Sequence, residues 1–237
     1  MPPQPRLRVR AVRHGCPSAP ETRRVETESE VIDWAALRAA DAALARFPGA
    51  LRRSASRESF AKGEPLFRSG ERPGAMFYLL SGEVCLLRRS RDGAETILQR
   101  TRGGFFAEAS LESERYHCDA VAAESGELLK FPARAFREAL AGDAEFCNGW
   151  IAHLAREVRR LRAQCERLSL KGAVQRIVHY IESEGARGTL VLTQTKKAWA
   201  AELGLSHEAL YRALRRMQEQ GILRVDGRRI VLRGAKD

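Results

Sequence analysis

No apolar run in this sequence approaches the ~20 residues that a membrane-spanning helix requires. The opening residues 1–20 are rich in Pro and Arg and lack the apolar core of a secretory signal. The expectation is a cytoplasmic protein with no membrane partner. Cysteine is sparse and scattered, at Cys16, Cys85, Cys118, Cys147 and Cys165. No two of these form a CxxC pair, which argues against a zinc or iron–sulfur cage built from close ligands. An odd count in a cytoplasmic chain points to free thiols. Histidine is equally dispersed, at His14, His117, His153, His179 and His207, so no metal-ligand cluster stands out. Acidic residues are outnumbered: 30 Asp and Glu against 41 Lys and Arg, a net charge of +11 over 237 residues. That balance favours a polyanionic partner, nucleic acid or an anionic membrane surface.

Residues 1–33 read as a flexible arm of Pro, Arg and polar residues without a clean period. The segment WAALRAADAALARF, Trp34 to Phe47, carries apolar residues at helical steps and predicts one helix. Short apolar runs then alternate with glycines: MFYLL, EVCLL, ETIL, DAVA and ELLKF. Many short strands between turn signals predict an all-β sandwich or roll. Asp92-Gly93 between two such runs is a hairpin signal, since the turn demands positive φ. Helical character returns at Pro132 to Phe136. Beyond it Ile151, Leu154, Val158, Leu161, Cys165 and Leu168 step by three and four in alternation. This heptad seam predicts that residues 144–170 form a helix through which two copies pair. A further helix is expected over Lys171 to Ala186.

From Thr195 the text becomes TKKAWAAELGLSHEALYRALRRMQEQGILRVDGRRIVLR. Thr195 suits the N-cap of a short helix, Gly204 a sharp turn, and Ser206 the cap of a second helix ending near Gln220. Asp226-Gly227 then turns a two-stranded wing. Helix, turn, helix and wing is a layout that places its second helix in the DNA major groove. Residues 171–237 hold 13 Lys and Arg against 7 Asp and Glu, a net of +6. Ser206, His207, Glu208, Tyr211 and Arg212 are the candidates for reading bases, because Arg grips guanine O6 and N7 and Glu accepts from cytosine N4. Thr195, Lys196, Lys197, Arg215, Arg216 and Arg228 suit phosphates, which position without specifying.

These parts, in this order, resemble the Crp/Fnr family of bacterial transcription regulators. The segments that carry the resemblance are GEPLFRSGERPGAMFYLLSGEVCLLRRSRDGAETIL and LGLSHEALYRALRRMQEQGIL. The resemblance implies an α+β protein: an antiparallel, jelly-roll-like β-roll of cyclic-nucleotide-binding type (residues 34–143), a long dimerisation helix (144–170) and a winged helix-turn-helix (171–237). It implies a homodimer that binds an inverted repeat of double-stranded DNA, with RNA polymerase as a further partner and no enzyme activity. The family's recognition helix commonly reads Ser-Arg-Glu-x-x-x-Arg. Ser206, Glu208 and Arg212 match it, and His207 replaces the Arg.

For the effector, the matching stretch is GGFFAEASLESERYHCDAVA. The candidate pocket residues are Gly104, Glu108, Ala109, Ser110, Arg115, Tyr116, His117 and Cys118. Glu108 matches the position that binds a ribose hydroxyl. The phosphate-binding position falls on Tyr116 or His117, and Arg115 stands one residue early. A phosphate needs a cation or several N–H donors, so this departure speaks against cyclic AMP. Adjacent His117 and Cys118 are residue types that ligate haem iron or form a redox-active thiolate. Neighbours on a strand point to opposite faces, so a core cysteine beside a surface histidine is the structural alternative. The cysteine cluster of oxygen-sensing members is missing, since Cys16 stands alone, which argues against an iron–sulfur sensor. Two other classes stand beside the regulator: a cupin-like metalloenzyme, marked by bound metal and turnover, and a nucleotide-binding-like module acting on a protein, marked by no salt-sensitive DNA binding.

Overall fold

The computed structural model describes residues 32–90 and 95–234. Residues 1–31 of the expected arm and the Asp92-Gly93 turn lie outside the described residues, while Asp33 caps the first helix by accepting from Ala35 and Ala36 N–H at 3.0 Å. The chain begins with helix α1 (Trp34–Ala40), a 3-10 turn (Ala42–Arg46) and helix α2 (Gly49–Arg53). The single helix expected over 34–47 is therefore interrupted. At Asp41 the backbone is extended, and its carboxylate caps the 3-10 turn by accepting from Ala43 N–H at 2.9 Å. The Tyr78 hydroxyl donates to the same carboxylate, so Asp41 is drawn out of the helical path and Leu44 and Phe47 swing into the core.

Strands β1 (Ser56–Phe60), β2 (Pro65–Phe67), β3 (Ala75–Arg89), β4 (Glu95–Thr101), β5 (Gly104–Phe106) and β6 (Asp119–Pro132) form one antiparallel sheet. Its path is β1-β6-β3-β4, with β2 on β6 and β5 on β3. MFYLL and EVCLL are two halves of β3, and DAVA and ELLKF two halves of β6, rather than four short strands. Both strands bend where their register shifts, between Leu79 and Val84. There Gly82 has φ of +84° and lies against Gly126. A Cβ on Gly126 would stand 2.1 Å from the Ser81 carbonyl oxygen, so two glycines let the paired strands cross without side chains.

The bent sheet has two buried faces, which explains why its strands read as continuous apolar runs rather than alternating ones. Phe67, Phe77, Leu79, Val84, Phe106, Tyr116 and Leu128 fill the interior. Met76, Tyr78, Leu129 and Phe131 face the other way. They pack on Leu44, Phe47, Leu51 and on two further helices, α3 (Ala133–Gly142) and α4 (Ala144–Ser169), through Phe136, Phe146 and Trp150. Asp143 caps α4 by accepting from Phe146 N–H at 2.9 Å. The helix runs 26 residues, about 39 Å at the α-helical rise.

The C-terminal part contains α5 (Ala173–Glu184), β7 (Thr189–Val191), α6 (Lys196–Glu202), α7 (His207–Glu219), β8 (Leu223–Asp226) and β9 (Arg229–Leu232). The wing has three strands in the order β7-β9-β8, one more than its sequence suggested. Thr189 to Val191 is too short to show a period and is recruited by β9. Ile177, Ile181, Trp199, Leu203, Leu210, Leu214, Met217 and Ile230 make the core of this part.

Candidate nucleic-acid interface and regulatory pocket

Helix α7 begins where Ser206 accepts from Ala209 N–H at 3.1 Å. Gly204 in the preceding turn has φ of +62°, a conformation that side chains disfavour. Leu210, Ala213, Leu214 and Met217 are buried, so Ser206, His207, Glu208, Tyr211 and Arg212 are left on the exposed side. The His207 and Tyr211 rings lie 4.5 Å apart, and Lys196 Nζ sits over the Tyr211 ring at 5.4 Å. The Glu208 carboxyl is held below its ordinary range, first by its own backbone N–H and then by the Ser206 hydroxyl. It is therefore an ionised acceptor at neutral pH.

The phosphate candidates surround this end. Thr195 caps α6, accepting from Ala198 N–H at 3.2 Å. Lys197, Arg216 and Arg228 are exposed, Lys196 is half-buried, and Arg215 is paired with Glu219 at 2.9 Å. All eleven candidates thus lie in α6, the turn, α7 and the wing.

The pocket candidates are placed differently, and the structure does not gather them around one space. Gly104 opens β5 with φ of +86°. Glu108, Ala109 and Ser110 form a 3-10 turn. Glu108 Oε1 meets His153 Nε2 of α4 at 2.9 Å, Ala109 is exposed, and the Ser110 hydroxyl is buried with no partner among the described residues. Arg115 is exposed and donates to the Gly70 carbonyl at 2.7 Å. Tyr116 points into the roll and stacks on Phe67, centroids 3.8 Å apart at 11°. His117 is exposed, while Cys118 is buried, and burial pushes its thiol above the ordinary range. Among the described residues no cluster of three or more His, Cys, Asp or Glu side chains is set to hold a metal.

Along α4, Ile151, Leu154, Val158, Leu161, Cys165 and Leu168 are all exposed in the single chain. A second stripe, Trp150, His153, Glu157, Arg160, Gln164 and Arg167, runs one residue ahead of that seam with the same three-and-four steps. One residue is about 100° around a helix, so this stripe faces the body of its own chain. Arg167 is buried, bonds Ser183 and Glu184, and lies 4.3 Å from the Tyr180 ring centre. The spacing of this stripe is present in the sequence, but its polar residues hide an inward face.

Residues 57–143 match the cyclic nucleotide-binding domain, and residues 175–236 match the Crp-like helix-turn-helix domain. The chain is 30% identical over 173 residues to the Cyclic AMP receptor protein of Thermus thermophilus, covering 71% of this chain and 80% of that one. The chain belongs to the Crp/Fnr family of transcription regulators. It is likewise 25% identical to the cAMP-activated global transcriptional regulator CRP of Pasteurella multocida, over 72% of this chain and 87% of the relative. Among solved structures, FixK2 from Bradyrhizobium japonicum shares the fold, with a TM-score of 0.59 at 24% identity over 76% of this chain and 93% of that one. As a member of the Crp/Fnr family the chain is a DNA-binding transcription regulator of α+β class. A phosphate needs a cation or several N–H donors; of the two residues expected at that place, Tyr116 is buried against Phe67 and His117 is exposed.

Proposed function

We propose that this regulator works as a homodimer, joined through the α4 seam, and reads an inverted repeat with the exposed end of α7. The observation that carries the dimer is the seam: Ile151, Val158 and Leu161 are each about half exposed in a row that no other described residue covers. In water such a row favours burial against a second copy. Glu208 and Arg212 are the base readers, Ser206 holds the helix start, and His207 with Tyr211 adds a stacked pair that alters the half-site. Thr195, Lys196, Lys197, Arg215, Arg216 and Arg228 hold phosphates. The protein acts in the cytoplasm with RNA polymerase as partner and catalyses no reaction.

The control signal enters where the roll meets α4, through contacts such as Glu108 to His153. It is a molecule other than cyclic AMP, because the phosphate's place falls on Tyr116 or His117 and no arginine stands there. The exposed His117 and buried, unionised Cys118 favour the structural over the haem or redox alternative, since a shared ligand set needs both on one face.

The test combines native mass with footprinting of DNA selected from a random pool. The expected result is a dimer protecting two half-sites about 34 Å apart, with Glu208→Ala and Arg212→Ala each altering the selected half-site. A monomer that protects one half-site, or variants that select the wild-type sequence, would overturn the reading.

A further inference from the structure

A cavity of about 400 Å³ opens outside the roll interior, a size that accepts small organic ligands. It lies where β4 and β5 meet the 3-10 turn and the first turns of α4. Glu108 and Tyr116 do not line it, and of the pocket candidates only Gly104 does. Phe47, Tyr78, Phe105 and Trp150 make its aromatic floor. The Phe105 ring meets Tyr78 and Trp150 edge-on, with centroids at 4.9 and 5.1 Å.

Its rim is cationic: Arg46, Arg100, Arg102, Arg156 and Arg160. Arg100 and Arg102 both bind the buried Glu83 carboxylate, which leaves one positive charge in excess. Arg160 is balanced by Glu157 at 2.9 Å. No hydrogen bond or ion pair among the described residues engages Arg46 or Arg156. An aromatic floor thus lies under an unbalanced positive rim.

The cavity is also kept open. Gly103, Gly104 and Gly149 line it, and a Cβ on any of them would meet nothing within 4 Å. Gly149 stands inside a 26-residue helix, where glycine costs about 1 kcal/mol relative to alanine. No close packing requires a glycine there, and its effect is to leave room.

We propose that this cleft binds a flat aromatic molecule carrying two or more negative charges, packed in the corner between the perpendicular rings of Phe105 and Trp150 and gripped by Arg46, Arg100 and Arg156. The inference rests on the regulator reading for its consequence: the occupant touches the roll and α4 together, and so biases the helix that sets the spacing of the readers.

The probe is pyranine, a planar pyrene trisulfonate, titrated by fluorescence anisotropy into the full chain bound to its selected DNA, so that the DNA-facing cations are occupied. Neutral 1-hydroxypyrene is the comparison. Pyranine is expected to bind the wild type, and Gly149→Leu and Arg46→Glu/Arg156→Glu are each expected to weaken it by about tenfold or more. 1-Hydroxypyrene is expected to bind less tightly than pyranine. Unchanged pyranine affinity in Gly149→Leu overturns the cleft, and equal affinity for the two pyrenes overturns the anionic class. The double Arg variant lies on the surface and reports even where Gly149→Leu disturbs α4. Failure of the wild type to bind DNA would instead strike the regulator reading and leave the pyranine result standing, measured on free protein.

Discussion

At position 116 a tyrosine ring is packed in the roll interior, stacked on Phe67, rather than displayed. Burial raises its phenol to about 12, so it stays neutral and serves as core. Tyr116→Ala removes a ring stacked on Phe67 and should destabilise the protein by about 3–5 kcal/mol, read as a lowered urea midpoint. A loss below 1 kcal/mol would show that the roll interior does not depend on this ring. Glu108 was legible as a polar residue at a special site, but its partner His153 lies 45 positions away, a distance that local pattern does not report. Glu208 and Arg212 were fully legible. A capped, amphipathic helix places i and i+4 on one face, so their exposure followed from spacing.

Strands β3 and β6 show what an element's text conceals. Glycine usually punctuates, and on that rule Gly82 and Gly126 divide two strands into four. Here they mark a bend inside paired strands, where each glycine accommodates the other backbone. Gly126→Ala sets its Cβ 2.1 Å from a carbonyl oxygen that is itself fixed by the opposite strand. It should cost about 3 kcal/mol or more, checked by thermal melting. A variant as stable as wild type would mean that the crossing is loose. The helix expected over 34–47 failed for a related reason: Asp41 has a helical neighbourhood but a better partner in Tyr78, across the fold. The seam of α4 was legible because every third and fourth residue is apolar, and its inward stripe was not, because charge pairs satisfy that face.

On the scale of the molecule, Arg176 joins the end of α4 to the turn before α7. Its guanidinium donates to the carbonyls of Leu168 and Leu170 at the end of α4, and to those of Leu203 and Gly204 in the reader turn. One guanidinium thus ties the end of α4 to the turn that precedes α7. Arg176→Ala should cost about 2 kcal/mol of stability and broaden the tolerated spacing between half-sites, measured with operators whose spacer is lengthened or shortened by one base pair. Unchanged spacing preference would place the coupling elsewhere. Arg176 was invisible as a hub in the sequence, where it is one of many arginines.

Composition, capping residues and heptad steps determined the order of parts, the seam and the exposed face of α7, because these depend on neighbours within a turn or two. Only the tertiary structure decided that Tyr116 fills the roll, that Glu108 meets His153, that Arg176 spans two domains and that a cationic, aromatic cleft opens beside α4. Each of those depends on groups far apart in the chain, whose meeting is set by strand pairing and core packing rather than by local spacing.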